Sequence, residues 1–469
     1  MKQYQYEIIA RSLEHKIREK IWIGGEKLPS IQKLAEQYQL SKNTVIHALH
    51  DLEASGLIEA RPKTGYFVTQ LFAQKSPKQL DAATLAPMAV SLPSLFNDIM
   101  QRGAAFDILP DSPSNPPSNH IVSLNRYLNR AQRSHAQRKV MHYDPPLGSL
   151  DLRFQIKEHY RSVGLNITAA DYCITAGCQN ALFLALMASC QPGDNVAIES
   201  PAFYGVLQLL EQLQLNVIEI ASSSSAGLDP QELENALQKW RIRACVVSPS
   251  FATPSGANMP AEHKKQLVEL ANRYDMTLIE DDIYGDLGFS ERPPPLKAYD
   301  TQDRVILCGS LSKSLSRDLR LGWVAGGRWH SQISRLKLVT QLAHNQSIQQ
   351  GVQAFMAEGH YRRHLSFYRQ VLKRQRDQLI VSLQQYWPAS IRFSIPQGGL
   401  AIWVQVEPQV DTAQLYHQAL NQGMVLTPGA LFSASGYYHN YLRLSFAHPT
   451  VGARENAMRK LGEMLHTFG

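Results

Sequence analysis

The sequence predicts a multidomain chain. A winged helix-turn-helix (α+β) comes first, then a larger α/β domain with a mostly parallel sheet, closed by a smaller C-terminal α+β domain. Three observations predict it. The chain has 469 residues, more than one ordinary domain holds. Its first part carries three helix patterns followed by a hairpin pattern. From residue 106 onward, short apolar strands alternate with helices, the mark of a mostly parallel α/β sheet.

The first domain is read over residues 1–70. Ile9, Leu13, Ile17 and Ile21 repeat at fours and line one face of an opening helix. "GGEKLP" breaks it. "SIQKLAEQY" is a short second helix, with Ser30 placed to cap it. After the turn "QLS", a third helix runs from Ser41 to Ser55, capped by Ser41 and stopped by Gly56. "LIEARP", a "KTG" turn and "YFVTQ" form the hairpin, or wing.

Residues 71–105 show no sustained periodicity and scattered prolines, and read as a linker with a short helix at its end. Residues 106–469 hold the second part, with a large domain over about 120–345 and a small one over about 346–469. "DYCITAG", "DNVAIES", "RACVVSP", "MTLIED" and "RVILCGS" are the strands. Sites on such sheets sit at the carboxyl ends of the strands, where this chain places its most unusual polar residues.

Bulk composition narrows the function. No apolar run approaches the ~20 residues that span a bilayer, and the N-terminus lacks the segments of a signal peptide. The expectation is a cytoplasmic protein with no membrane partner. Five cysteines, widely spaced, fit reduced thiols and no CxxC or Cys/His metal cluster. Net charge is +7, but residues 1–70 hold ten basic side chains against eight acidic ones. Placement of charge, rather than its sum, must carry any argument for nucleic acid.

That placement points to double-stranded DNA. The third helix opens with Lys42, Asn43 and Thr44, the positions that reach bases and phosphates in a helix-turn-helix. Lys42 can meet a phosphate or guanine, and Asn43 can pair with adenine. The wing tip carries Arg61 and Lys63, and Gly65 allows close backbone approach. The ordered set "EKLPSIQKLA", "LSKNTV", "ALHDLEASGLI" and "KTGYFV" resembles the GntR family of bacterial regulators. That family carries arginine where Gln32 and Lys42 stand. The resemblance implies DNA contacts by Ser30, Gln32, Ser41, Lys42, Asn43, Thr44, Arg61, Lys63 and Gly65.

Four consecutive strand ends supply a second constellation. Gly177, Cys178 and Gln179 open a helix and can offer amides to a phosphate. Phe203 or Tyr204 can stack on a flat ring. Asp281 and Asp282 follow a buried strand, an expensive position without a cationic partner; Asp282 reads equally well as a helix cap. Tyr284 lies close behind. "GSLSKSLSRDLR" brings Ser310, Ser312, Lys313 and Arg320. A partly desolvated lysine can lose its proton and attack a carbonyl. Lysine, carboxylate, phenol, ring stacker and anion seat together describe pyridoxal 5′-phosphate, PLP.

Residues 106–469 resemble fold-type I aminotransferases, and their fusion to a GntR-type reader resembles the MocR subfamily of regulators. The resemblance makes Lys313 the Schiff-base lysine, Asp281 the pyridine partner and Tyr284 the ring-oxygen partner. It assigns Gly177, Cys178, Gln179, Ser310, Ser312 and Arg320 to the phosphate, and Phe203 to the ring face. Tyr143 in "YDPPLGSLDLR" would reach the phosphate of a partner subunit, implying a head-to-tail homodimer. Arg443 in "YLRLSFA" would clamp a substrate carboxylate. Where the family reads Asn-Pro-Thr-Gly, this chain reads "TPSG", with Thr253 for the asparagine beside the ring oxygen. The implied function is a PLP-dependent transcription regulator that senses an amino acid, amine or vitamer through Lys313. An active aminotransferase with a DNA-binding appendage is the alternative.

Overall fold

The structure is a computed structural model. It describes residues 5–18, 21–22, 26–54, 57–61, 64–68, 76–78, 85–91, 95–102, 107–112, 116–136, 143 and 145–467. The chain divides into two compact units, Met1–Lys75 and Ser76–Gly469.

The first unit holds α1 (Gln5–Arg18), α2 (Ile31–Tyr38), α3 (Lys42–Ala54), β1 (Ile58–Arg61) and β2 (Gly65–Val68). Ile9, Leu13 and Ile17 bury their side chains against Leu34, Val45, Leu49 and Leu52. Ile21, expected on the same stripe, is 62% exposed. Its amide bonds back to the Lys16 carbonyl, so it no longer follows the helical register. Ser30 caps α2 by accepting the Lys33 amide at 3.2 Å. The third helix is described as Lys42–Ala54, inside the expected Ser41–Ser55. β1 and β2 pair antiparallel from Ile58↔Val68 to Arg61↔Gly65. Gly65 has φ +112°, a conformation glycine alone adopts cheaply.

The second unit opens with β3 (Met88–Ala89), α4 (Leu95–Gln101), α5 (Asn119–Ala136) and α6 (Leu150–Arg161). Then come β4 (Tyr172–Thr175), α7 (Cys178–Ser189), β5 (Asn195–Ser200), α8 (Tyr204–Gln212), β6 (Asn216–Ser223) and β7 (Gly227–Leu228). These are followed by α9 (Pro230–Lys239), β8 (Ala244–Val247), α10 (Ala261–Arg273), β9 (Thr277–Asp281), β10 (Val305–Ser310) and β11 (Gly322–Ala325). The chain ends through α11 (His330–Thr340), α12 (Gln346–Ala357), α13 (His360–Tyr386), β12 (Arg392–Phe393), β13 (Ala401–Gln405), α14 (Thr412–Leu420), β14 (Tyr441–Ser445) and α15 (Ala453–Thr467).

The main sheet runs in the order β3-β6-β5-β8-β9-β10-β11-β4, with β7 beside β6. Strands β6, β5, β8, β9 and β10 are parallel. β11 is antiparallel to both its neighbours, which returns β4 to the direction of β10. The carboxyl ends of β4, β5, β8, β9 and β10 therefore share one edge. These strands are buried along almost their whole length because helices cover both faces. A second sheet, β12-β13-β14, is antiparallel.

Two expected boundaries change. Of the expected linker 71–105, residues from Ser76 fall in the second unit. β3 pairs with β6, the Lys78 amide bonds to Gln405 at 3.0 Å, and α4 carries Asp98 to the Tyr416 hydroxyl at 2.5 Å. Proline had masked a strand too short to show a period. Residues 71–75, 79–84, 92–94 and 103–105 lie outside the described residues. The expected small domain began near 346, yet α12 packs on α5 and α6 and so belongs with the large sheet.

Candidate functional site

The shared strand edge assembles the site. Asp281 is the last residue of β9 and is 2% exposed. Its Oδ1 accepts the Cys178 thiol at 3.1 Å and the Ile283 amide at 3.3 Å. Oδ2 takes no hydrogen bond among the described residues. Burial pushes this carboxyl up to about 6, because a charge in low dielectric is costly.

Lys313 follows β10 and is half-buried. Burial drives its ammonium well below the usual lysine range, helped by the Arg317 and Arg443 cations and opposed by Asp281. Tyr284 is 4% exposed, and burial pushes its phenol up, with Arg443 opposing and Asp281 adding. These side chains act on one another electrostatically, so Lys313, Asp281, Tyr284 and Arg443 occupy one neighbourhood. The Arg443 guanidinium lies 5.7 Å from the Phe432 ring centroid, and its Nη2 donates to Thr427 Oγ1 at 3.3 Å.

The expected phosphate seat is equally local. Gly177 precedes α7 at φ +96°. A Cβ there would stand 3.0 Å from Arg320 Nη2, which itself donates to the Ala176 carbonyl at 2.7 Å. Arg320 adopts a positive φ of 45° to reach this position. Ser310 Oγ lies 2.9 Å from Ser312 Oγ and donates to the Leu321 carbonyl at 3.0 Å. Gln179 Nε2 is bound to the Gly205 carbonyl at 2.7 Å, so its side chain braces α8.

Phe203 precedes α8, its ring 4.7 Å from that of Tyr204 and tilted 46° to it. The Thr253 hydroxyl is buried against the Tyr284 phenol without a well-formed hydrogen bond. Tyr143 is 76% exposed.

Three features escaped the sequence reading. Arg317 lies within electrostatic reach of Lys313, Tyr284, Tyr204 and Tyr368; its place four residues after Lys313 was the available signal. Asp282, read as a possible cap, instead pairs with buried Arg292 and accepts the Tyr160 hydroxyl at 2.8 Å. Arg292 also meets Asp286 at 2.6 Å. Asp286 accepts the Tyr361 hydroxyl at 2.7 Å, and that hydroxyl lies 2.8 Å from Ser314 Oγ. A buried ionic network thus grips the residue after Lys313. Nothing near Arg292 in the sequence pairs it with a residue ten positions earlier.

In the first unit, Ser41 Oγ accepts the Thr44 amide at 3.2 Å and lies 2.8 Å from Thr44 Oγ1. Ser30 and Ser41 are thus engaged as caps, while Lys42 and Asn43 are exposed at the start of α3. Gln32 is exposed and donates to Glu36 at 3.2 Å. Lys63 and the Arg61 side chain lie outside the described residues. Among the described residues no helix is long and apolar enough to cross a membrane, and no cluster of metal ligands occurs.

Sheet order and strand-edge site define a fold-type I aminotransferase-like domain behind a helix-turn-helix reader. Residues 114–461 match aminotransferase class I and II, and residues 5–68 match the bacterial regulatory proteins of the gntR family. The chain belongs to the aminotransferase class I and II family in its MocR form, with a gntR-type domain in front. It is 34% identical to the uncharacterized HTH-type transcriptional regulator YjiR of Escherichia coli K12, over 98% of this chain and 99% of that one. It is 26% identical to the HTH-type transcriptional regulator NorG of Staphylococcus aureus, over 93% and 98%. Among solved structures, Pyrococcus horikoshii kynurenine aminotransferase in complex with PMP matches with TM-score 0.72 at 25% identity, over 80% of this chain and 95% of that one.

Proposed function

We propose that this protein is a PLP-dependent, DNA-binding transcription regulator whose second unit senses an amino acid or amine at Lys313. One observation carries the reading: a lysine with depressed basicity shares a neighbourhood with a buried carboxylate and Arg443, in a chain that begins with a DNA reader.

The residues fit the cofactor. When bound, PLP supplies an aldehyde and an electron-withdrawing ring. Lys313 Nζ, held toward its neutral form, is the nucleophile for the aldehyde. The Asp281 carboxylate would hold a proton on the ring nitrogen. Tyr284 is placed for the ring oxygen, with Thr253 too short to replace asparagine there. The α7 amides with Ser310, Ser312 and Arg320 form the anion seat. Arg443 would bind the ligand carboxylate, and Phe203 would lie against the ring. Tyr143, exposed on the single chain, fits a contact across a head-to-tail homodimer. Lys42 and Asn43 read the operator, with Gln32, Thr44 and the wing beside them.

Sensing requires that the ligand favour one of two arrangements of the protein. Titrating PLP-loaded protein with amino acids and amines, while following absorbance and DNA binding together, tests this. The Lys313→Ala variant should keep DNA binding and lose every ligand response. A response preserved in Lys313→Ala contradicts the reading.

A second reading, an aminotransferase with a DNA-binding appendage, is favoured by the near-complete site, Arg443 included. Sustained turnover of an amino acid–keto acid pair, with DNA binding indifferent to both, would establish it instead.

A further inference from the structure

Cys178 occupies two parts of the site at once. Its backbone begins α7, where the amides face the expected phosphate position. Its side chain turns to the other end and donates to Asp281 Oδ1 at 3.1 Å. Burial first, and Asp281 second, push this thiol well above the usual range, so it remains a donor.

Asp281 is surrounded from every side. Cys178 reaches it from α7. Cys308 stands opposite it in the β9–β10 register, and burial pushes that thiol up as well. Asp282 follows it just beyond the end of β9, Glu199 approaches from β5, and Lys313 and Tyr284 face it across the site. Among these, Cys178 is the side chain that donates a hydrogen bond to it. Oδ1 is therefore held, while Oδ2 takes no hydrogen bond among the described residues.

We infer that Cys178 is a positioning residue for the cofactor: its thiol selects which oxygen of Asp281 meets the ring nitrogen, and ties that carboxylate to the phosphate-seating end of α7. The inference rests on the PLP reading above. A thiol is a weak donor. It orients the carboxylate while leaving it more basic than a hydroxyl would, since donors to a carboxylate stabilise its charged form.

The sign of the test follows. Removing the donor makes Asp281 more basic, so the proton it shares with the ring nitrogen sits nearer the carboxylate. The ring becomes less positive, and the nitrogen that Lys313 contributes holds its own proton to higher pH. The experiment uses the full-length, PLP-loaded protein and two readouts: the midpoint of its absorbance change with pH, and the PLP dissociation constant from a spectral titration. In Cys178→Ala the midpoint should rise by on the order of half a pH unit, and PLP should bind about threefold more weakly. In Cys178→Ser, whose hydroxyl is the stronger donor, the midpoint should fall below wild type. A Cys178→Ala midpoint at or below wild type, or a Cys178→Ser midpoint at or above it, overturns the assignment. If Cys178→Ala does not fold, the near-isosteric serine variant decides alone by the same criterion. Failure of the wild-type protein to take up PLP would instead overturn the cofactor reading.

Discussion

Asp281 shows what a strand end costs and what it supplies. An isolated carboxyl has a pKa near 4, and burial pushes this one up to about 6. A raised acid contributes stability that is complete at low pH and is lost as pH rises through its folded value. In the PLP-free protein, stability should therefore decline from about pH 4 to about pH 6 through this group. Asp281→Asn should remove that part of the decline, on the order of 1–3 kcal/mol. Melting curves of the two PLP-free proteins across that range measure it; parallel pH profiles would contradict it. The cost of the buried charge is also why "LIEDD" was informative in the sequence: a carboxylate there needs a partner. Which partner each acid takes was not legible. Asp282 finds Arg292 through a loop that carries no periodic signal.

At the scale of elements, the reader was legible because each piece had its own local cause. Ile9, Leu13 and Ile17 repeat at fours, Ser30 and Ser41 cap their helices, and Gly65 needs its positive φ. Leu13 is completely buried, so Leu13→Ala should destabilise the first unit by about 2–5 kcal/mol, read from its thermal unfolding. Lys42 is exposed at the start of α3, where it can meet a phosphate. Lys42→Ala should weaken DNA binding and reduce the slope of log affinity against log salt by about one. An unchanged slope would place Lys42 off the phosphate backbone. The segment from Ser76 was illegible for the opposite reason. β3 has two residues and pairs with β6, and Lys78 is held by Gln405; both partners lie far along the chain. The proposed phosphate seat belongs here too. Gly177→Ala should strain φ +96° and press on Arg320, weakening PLP binding in a spectral titration; unchanged affinity would contradict that seat.

At the scale of the molecule, an aminotransferase-like domain with a strand-edge lysine and a gntR-type domain lie in one chain, each in its own compact unit. The alternation of strands and helices made the second unit legible, and motif order made the first. The proposed coupling of the two was not legible, because it would require two arrangements of the protein and one sequence displays neither. The most direct test is one titration of full-length, PLP-loaded protein on DNA selected by the protein itself. An amino acid or amine is added while absorbance and DNA-binding anisotropy are recorded together. A PLP-dependent sensor predicts that both signals change with the same midpoint, and that neither changes in Lys313→Ala. An absorbance change at constant DNA affinity would contradict it.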